Sequence, residues 1–476
     1  MRHTKNAIHL VCALLVVGGT AHASWNKCPN GQKLRWKSGV VSMRLNATSF
    51  FQSPDATAAV ASAIHEMNWT GSAVKYTLQS DTGDVGWLNG QNEIWRMPIT
   101  DPDIIAWTGS WYWEDDCTFA ETDIWFDTEQ KWYPLTTNKK KLTAYGGPGL
   151  PLASVAIHEL GHAQGDGHTA DKYCVMGGSS THVFSNGDDA RFYPGEYLTY
   201  QSIKVYGKTT KNANDLGVVH WRHTGHDKKG YSTHGRCRVA DKSLNVLTGI
   251  WKNGEPLYYV YPGQVVRAEF SFENRGKETT TAGVGWYYSS DDHVWTSDQL
   301  LATKTFNFGV DKVGTKWSPN LTVPLTAVPG TRALGAVVDF DSKINEPMEK
   351  NNATYTHVLV LTPDLRAVSI SGPKKKKLKP GDSTVSVTID VDKKNWGGKV
   401  PWEIRLSKNQ TIGSKDKLLA SGSTTNLAPQ TIVVDLSGVK KGKYYWGLRL
   451  LAASHEDDLQ DNTVTGNKIK ITKKKK

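Results

Sequence analysis

The chain has 476 residues, of which 38% are hydrophobic and 22% charged. That composition excludes a disordered or fibrous chain, and the length calls for about three domains rather than one core. No run beyond the N-terminus reaches the ~20 apolar residues of a membrane-spanning helix, so a helical membrane span is not expected.

Arg2 and Lys5 precede a largely apolar stretch over 7–17, and Ala21-His22-Ala23 has the small-x-small pattern of leader cleavage. Residues 1–23 are therefore expected to be a secretory signal, with a secreted, extracellular mature chain beginning at Ser24. Cys12 lies inside the apolar stretch, which continues past it to Val17; this argues against lipid attachment. Four cysteines remain: Cys28, Cys117, Cys174 and Cys237. An even number in an exported chain favours two disulfides, and all three pairings stay open. Cys28 as a latency thiolate is the weaker reading, because its Lys27-Cys28-Pro29-Asn30 context fits a disulfide better.

The stretch 40–45 reads as a strand. Ser53-Pro54-Asp55 supplies helix-start chemistry, and Ala56, Val60, Ala63, Ile64 and Met67 follow at helical spacing. His65 on this helix reads as an ordinary histidine. Further strands are expected over 74–78 and 92–96, and a hairpin or pair of edge strands over 104–113 and 118–126 around the acidic turn Glu114-Asp115-Asp116. After a Gly- and Pro-rich loop at 146–151, a helix is expected over about 152–164, and a last helical segment over 195–206.

The 152–164 helix carries the chemistry. It leads into His158-Glu159-Leu160-Gly161-His162-Ala163-Gln164-Gly165-Asp166-Gly167-His168. Residues four apart share a helix face, so His158 and His162 can grip one metal ion. Gly165 permits the left-handed turn that ends the helix and returns His168 as third ligand. Three imidazoles leave the fourth zinc position for water, and Glu159, next to a ligand, is the expected general base. Zinc would make that water acidic enough to attack a peptide carbonyl at neutral pH.

These residues resemble the extended H-E-x-x-H-x-x-G-x-x-H motif of the metzincin zinc peptidases, and matrixins among them. The resemblance covers about 33–208. It implies an α+β catalytic domain, a twisted mixed sheet with an active-site helix, and one catalytic Zn2+. Met176 in Cys174-Val175-Met176-Gly177-Gly178 takes the place of the family's Met-turn methionine. The stretch Glu121-Thr122-Asp123-Ile124-Trp125-Phe126-Asp127 and the closing Tyr206-Gly207 are similar to matrixin segments. The chain departs from the matrixins where Gly177-Gly178-Ser179-Ser180 replaces the Pro and Tyr after the Met-turn, which leaves the specificity wall undefined. Between His65 and His158 there is no histidine to ligate a second, structural zinc. Calcium has no supporting pattern. A fragment over 24–207 is expected to fold alone.

Residues 209–235, polar and rich in Gly, His and Lys, are expected to be a linker. His220, His223, His226 and His234 fall here or close by, with nothing to fix a metal geometry. The remainder reads as two all-β immunoglobulin-like sandwiches, 236–362 and 363–476. Asp298-Gln299-Leu300-Leu301-Ala302 is echoed by Asp416-Lys417-Leu418-Leu419-Ala420, and Gly330 to Gly335 by Gly442 to Gly447. With Asn345-Glu346, Asn351-Asn352 and Asp461-Asn462, these units resemble the bacterial cell-adhesion-related domain, CARDB.

Charge divides unevenly. The net is +11, yet 363–476 holds 23 Lys and Arg against 11 Asp and Glu, a net of +12, leaving −1 elsewhere. Such a basic segment attracts anionic polymers or cell envelopes, although solubility explains it equally well. No nucleic-acid role is expected. Two functions compete: a secreted zinc endopeptidase acting on protein and peptide substrates, docked by its C-terminal modules, or a surface adhesion protein in which the metal domain is secondary.

Overall fold

The computed structural model describes residues 8–12, 25–50, 53–134, 137–178, 181–211 and 214–473. The expected signal 1–23 therefore lies outside the described residues except for one strand, β1 (Ile8–Cys12). The chain divides into two compact units. The first comprises Met1–Leu257, Arg267–Leu321 and Arg332–His357; the second comprises Tyr258–Val266, Thr322–Thr331 and Val358–Lys476.

The first unit opens with β2 (Val40–Asn46), α1 (Pro54–Asn68), β3 (Lys75–Asp81), β4 (Glu93–Met97), β5 (Ala106–Trp113) and β6 (Thr118–Asp127). These strands form a six-stranded mixed sheet in the order β1-β5-β6-β4-β2-β3. β2 runs parallel to β3 and β4, and β4 parallel to β6; β5 returns antiparallel to β6, as the acidic turn between them requires. Helix α1 starts at Pro54, whose missing N–H costs nothing at a helix N-terminus. It buries the expected stripe of Ala56, Val60, Ala63, Ile64 and Met67.

Alternation along β5 separates its two faces. Thr108 is buried on the face that meets the next helix, whereas Trp107, Gly109 and Trp111 line an apolar cavity of about 530 Å³ on the other, with Trp87 and Trp125. Two short strands, β7 (Trp132–Tyr133) and β8 (Leu150–Pro151), pair in parallel and deliver the chain into α2 (Leu152–Ala163). Hairpin β9 (Phe184–Asn186) and β10 (Asp189–Arg191) precedes α3 (Gly195–Tyr206).

Tyr206 ties the C-terminus of α2 in place. Its hydroxyl donates to the Gln164 carbonyl at 2.8 Å and accepts the Trp36 N–H at 3.1 Å. The Trp36 indole N–H in turn donates to the Ala163 carbonyl at 2.8 Å. Two of the carbonyls that the helix end leaves unpaired, those of Ala163 and Gln164, are thereby met.

The expected linker is ordered structure instead. It contains β11 (Leu216–Val219), β12 (Trp221–His226) and β13 (Ser232–Arg236). β11 pairs antiparallel with the strand Val265–Asn274, Leu216 opposite Asn274 and Val219 opposite Ser271. Val219 and Trp221 are buried in the same core as Ile157 and Leu160 of α2. The polar composition hid this because the buried apolar residues of the stretch, Leu216, Val218, Val219 and Trp221, form a run too short to read as a strand.

Much of the first β region belongs to the same unit as the helices. Lys139, fully buried, places its ammonium 2.7 Å from Asp292 and 3.7 Å from Glu255, and bonds the Tyr355 hydroxyl. Glu273 accepts from His182 at 3.2 Å and from the N–H of Glu196 at 3.2 Å. An expected free-standing sandwich at 236–362 gives way to a β region pinned by buried charges that need each other.

In the second unit, Asp364–Ser371, Thr384–Lys394 and Gln430–Asp435 form one sheet, and five strands led by Lys375–Leu378 form another. Val387, Ile389, Ile404, Trp446 and Ile469 fill its core. The strand Lys375–Leu378 runs parallel to the last strand, with Lys375 opposite Lys470 and Leu378 opposite Lys473. Two lysine groups far apart in sequence come side by side.

Candidate metal centre

Helix α2 buries all but one of its residues, so it has no solvent face to choose. The i, i+4 spacing puts His158 and His162 on one side. The helix then stops where Gly165 adopts φ +110°, a left-handed conformation. A side chain at Gly165 would also strike the Trp25 indole, at 2.6 Å. The Asp166 N–H bonds back to the Gly161 carbonyl at 3.0 Å, and the reversed chain carries His168 to the other two histidines.

The three Nε2 atoms form a triangle. His158 lies 3.0 Å from His168 and 3.1 Å from His162, and His162 lies 3.2 Å from His168. These approaches are not hydrogen bonds. His158 Nδ1 donates to the Val175 carbonyl at 2.7 Å and His162 Nδ1 to the Asp166 carbonyl at 2.8 Å, so both Nε2 atoms present bare lone pairs. Burial is the first cause holding all three imidazoles neutral. It lowers His158, brings His162 to about 3 with help from the charge of His158, and takes His168 well below the ordinary range.

Two bare lone pairs meeting a third ring nitrogen in a buried space gain most when a cation lies among them. Tetrahedral coordination at ~2.05 Å would set nitrogens about 3.3 Å apart, close to the spacing here. The donor set fits a divalent metal ion, and His158, His162 and His168 form the one group of at least three potential ligands among the described residues. The carbonyls of Val175 and Asp166 supply the outer hydrogen bonds that fix ligand tautomers.

Glu159 is buried beside the triad. Thr108 of β5 donates its hydroxyl to Glu159 Oε2 at 2.6 Å. Burial raises this carboxyl to about 7, and the Thr108 hydrogen bond works against that rise. A carboxylate so poised can take a proton near neutral pH.

Met176 is fully buried under the α2 helix. A Cβ at Gly161 would meet its sulfur at 2.5 Å, so the helix carries glycine where the thioether enters. The Met176 carbonyl accepts from the Thr169 N–H at 3.0 Å, locking the turn to the segment that bears His168. Gly161, Val175 and Thr108 were not singled out from the sequence. Nothing local marks them, since each acts through a partner brought close only by folding.

The other histidines do not converge. His220 is buried against Tyr145 at 3.0 Å and Arg236 at 2.6 Å; His223 bonds the Ala170 carbonyl at 2.8 Å; His234 bonds Thr181 and Ser232. Each is used in packing β12 and β13. His65 pairs with the Trp69 indole N–H.

Among the described residues one disulfide forms, Cys28–Cys117. The expected second one does not: Cys174 and Cys237 are both buried and neither is in a disulfide. Cys174 is enclosed in the turn that closes on Gly177, and Cys237 packs behind β11 with its sulfur 3.9 Å from the Val219 carbonyl. The bond to Cys117 also removes Cys28 from any role as a metal-directed thiolate.

Beside the metal site stands a residue from the former linker. Tyr231, between β12 and β13, sets its ring edge-on to His168 with centroids 4.3 Å apart.

No family model matches the chain, and no curated protein matches it. Among solved structures, the CARDB domain of a Pyrococcus furiosus protein in complex with di-metal ions aligns at 17% identity. It covers 31% of this chain and 89% of that one, with a TM-score of 0.20. A DUF3823 family protein from Bacteroides ovatus aligns at 12% identity, covering 47% of this chain and 95% of that one, with a TM-score of 0.17.

Proposed function

We propose that this protein is a secreted zinc metalloendopeptidase of the metzincin type, matrixin-like in its catalytic region. The observation that carries the proposal is the convergence of three histidine Nε2 atoms within 3.2 Å of one another, with the Glu159 carboxylate on the helix that bears His158 and His162.

His158, His162 and His168 would hold Zn2+, and Glu159 is the general base that receives the proton of the attacking water and returns it to the leaving amine. When bound, the metal supplies Lewis acidity to water and to the scissile carbonyl. Thr108 holds Glu159 Oε2 and keeps the carboxylate from swinging away. Met176 seals the floor below the ligands and excludes water from that side. A peptide enters as an extended chain, and no covalent intermediate with the protein is needed.

The second unit serves docking in this reading. Its lysines at 374–377 and 468–473 form one basic edge through the pairing of Lys375 with Lys470. An anionic polymer or cell-envelope surface is the partner that such an edge attracts, in a salt-dependent way. The adhesion reading treats this edge as the main function. It gives no reason for a buried general base held by its own hydrogen bond.

Zymography of wild type beside Glu159→Ala tests the proposal. Clearing by the wild type alone is expected. Equal clearing by both proteins, or none by either, would favour the adhesion protein.

A further inference from the structure

The Met-turn is followed by glycines, and the reason lies in the hairpin formed by β12 and β13. A Cβ on Gly178 would meet the Tyr231 side chain at 2.7 Å, and one on Gly177 would meet Ser232 at 3.0 Å. The two glycines make room for the hairpin, whose Tyr231 occupies the space a side chain after the Met-turn would otherwise fill.

The hairpin is fixed to the ligand-bearing loop at several points. Ser232 N–H donates to the Thr169 carbonyl at 2.8 Å, one residue from His168. His223 reaches the Ala170 carbonyl at 2.8 Å, and the Cys174 N–H approaches His234 Nε2 at 3.4 Å. At the tip, the Lys229 ammonium lies 2.8 Å from Asp103, in the loop just before β5. That strand supplies Thr108 to Glu159. The hairpin therefore touches both the segment carrying the third ligand and the loop leading to the strand that holds the general base. Tyr231 lies between these attachments, half-buried, with its ring against His168.

We infer that Tyr231 is a specificity-determining residue: its ring walls the metal site and selects peptides with a bulky apolar side chain next to the scissile bond. The inference rests on the endopeptidase reading. An aromatic ring fixed beside a ligand offers a flat apolar face to the substrate residue at the reacting carbonyl. Among the described residues of that turn and hairpin, Tyr231 is the side chain that packs on His168.

Tyr231→Phe keeps the ring and Tyr231→Ala removes it. Gly178→Ala pushes the ring aside, because the new methyl group takes its place. The full chain carrying each change is compared with wild type for zinc content, for its cleavage profile on a peptide library, and for kcat and KM on a peptide with Phe or Leu next to the cleaved bond. Tyr231→Ala and Gly178→Ala should keep zinc, lose the apolar preference and raise KM about 10-fold or more with a smaller change in kcat. Tyr231→Phe should behave as wild type. An unchanged profile in Tyr231→Ala would overturn the inference while leaving the endopeptidase reading intact. So would a partial loss of zinc in which the activity that remains keeps the wild-type preference, which would make Tyr231 a brace for His168. A wild type without cleavage would overturn both.

Discussion

Thr108 and Glu159 are 51 residues apart in sequence, and the hydroxyl of one lies 2.6 Å from the carboxylate of the other. The bond joins the sheet to the helix at the point where chemistry is expected. It favours the charged form of a carboxyl that burial pushes up to about 7.

Removing that donor has two expected consequences. Thr108→Val keeps shape and volume but leaves Glu159 Oε2 unheld, and a hydrogen bond to a charged group is worth about 1.5–3 kcal/mol. Peptide hydrolysis should fall roughly 10- to 100-fold, mainly in kcat. The acidic limb of the pH–rate profile should move to higher pH, because the carboxylate has lost a group that stabilised its charge. Thr108→Ser should restore most of the rate. Steady-state kinetics across pH checks all three.

Acid sensitivity of the metal-free protein follows from the triad. Burial, and then the charge of His158, hold His162 at about 3 in the folded state, with the Asp166 carbonyl opposing them. In the unfolded chain it titrates near ~6.5. Between those values the unfolded state binds more protons, so stability is lost as pH falls from ~6.5 towards about 3. Thermal unfolding of the chelated protein should show this decline, and His162→Gln should flatten it. Zinc requires the same neutral imidazoles, so acidification should also favour its release.

Thiol chemistry distinguishes the two cysteine pairs. In a chain that begins at Ser24, as proposed, Cys174 and Cys237 are the thiols outside the disulfide; both are buried and burial pushes both up, which makes them poor nucleophiles. A thiol reagent should find none reactive in the native protein and two after unfolding without reductant. Four after such unfolding would mean that Cys28–Cys117 is absent; none would mean that Cys174 and Cys237 are bonded after all.

A fragment over 24–207 should fail to fold as the intact chain does. It lacks Trp221 and Val219 from the core around α2, and truncating one buried Trp alone costs ~3–5 kcal/mol. It also lacks Tyr231 and Ser232 beside His168 and Thr169. Circular dichroism, solubility and zinc content of the fragment test this. A soluble fragment that binds zinc and matches the intact chain would show that β11 to β13 are dispensable.

The contrast between those last two cases and the motif shows where sequence reading works. His158, Glu159, His162 and His168 lie within eleven positions, and their roles follow from helical geometry and one glycine turn. Met176 came from spacing within a resemblance, and α1 from its regular apolar stripe. Thr108, Val175 and Tyr231 act across the fold through single contacts, and a single contact leaves no periodic trace in sequence. The 209–235 stretch misleads for a related reason. Its strands are held by pairing with Val265–Asn274 and by bonds to the ligand loop, not by an apolar alternation of their own. Cysteine parity was a poor guide, because parity carries no information about whether two buried thiols face each other.

The central claim is that three histidines bind one zinc ion and that Glu159 uses the site to hydrolyse peptides. Zinc content and peptide hydrolysis measured on the same preparations of wild type, Glu159→Ala and His162→Ala test it most directly. The wild type should hold about one zinc per chain and cleave; Glu159→Ala should keep the zinc and lose cleavage by at least ~100-fold; His162→Ala should lose both. Undiminished cleavage by Glu159→Ala, or full zinc retention by His162→Ala, would contradict the account.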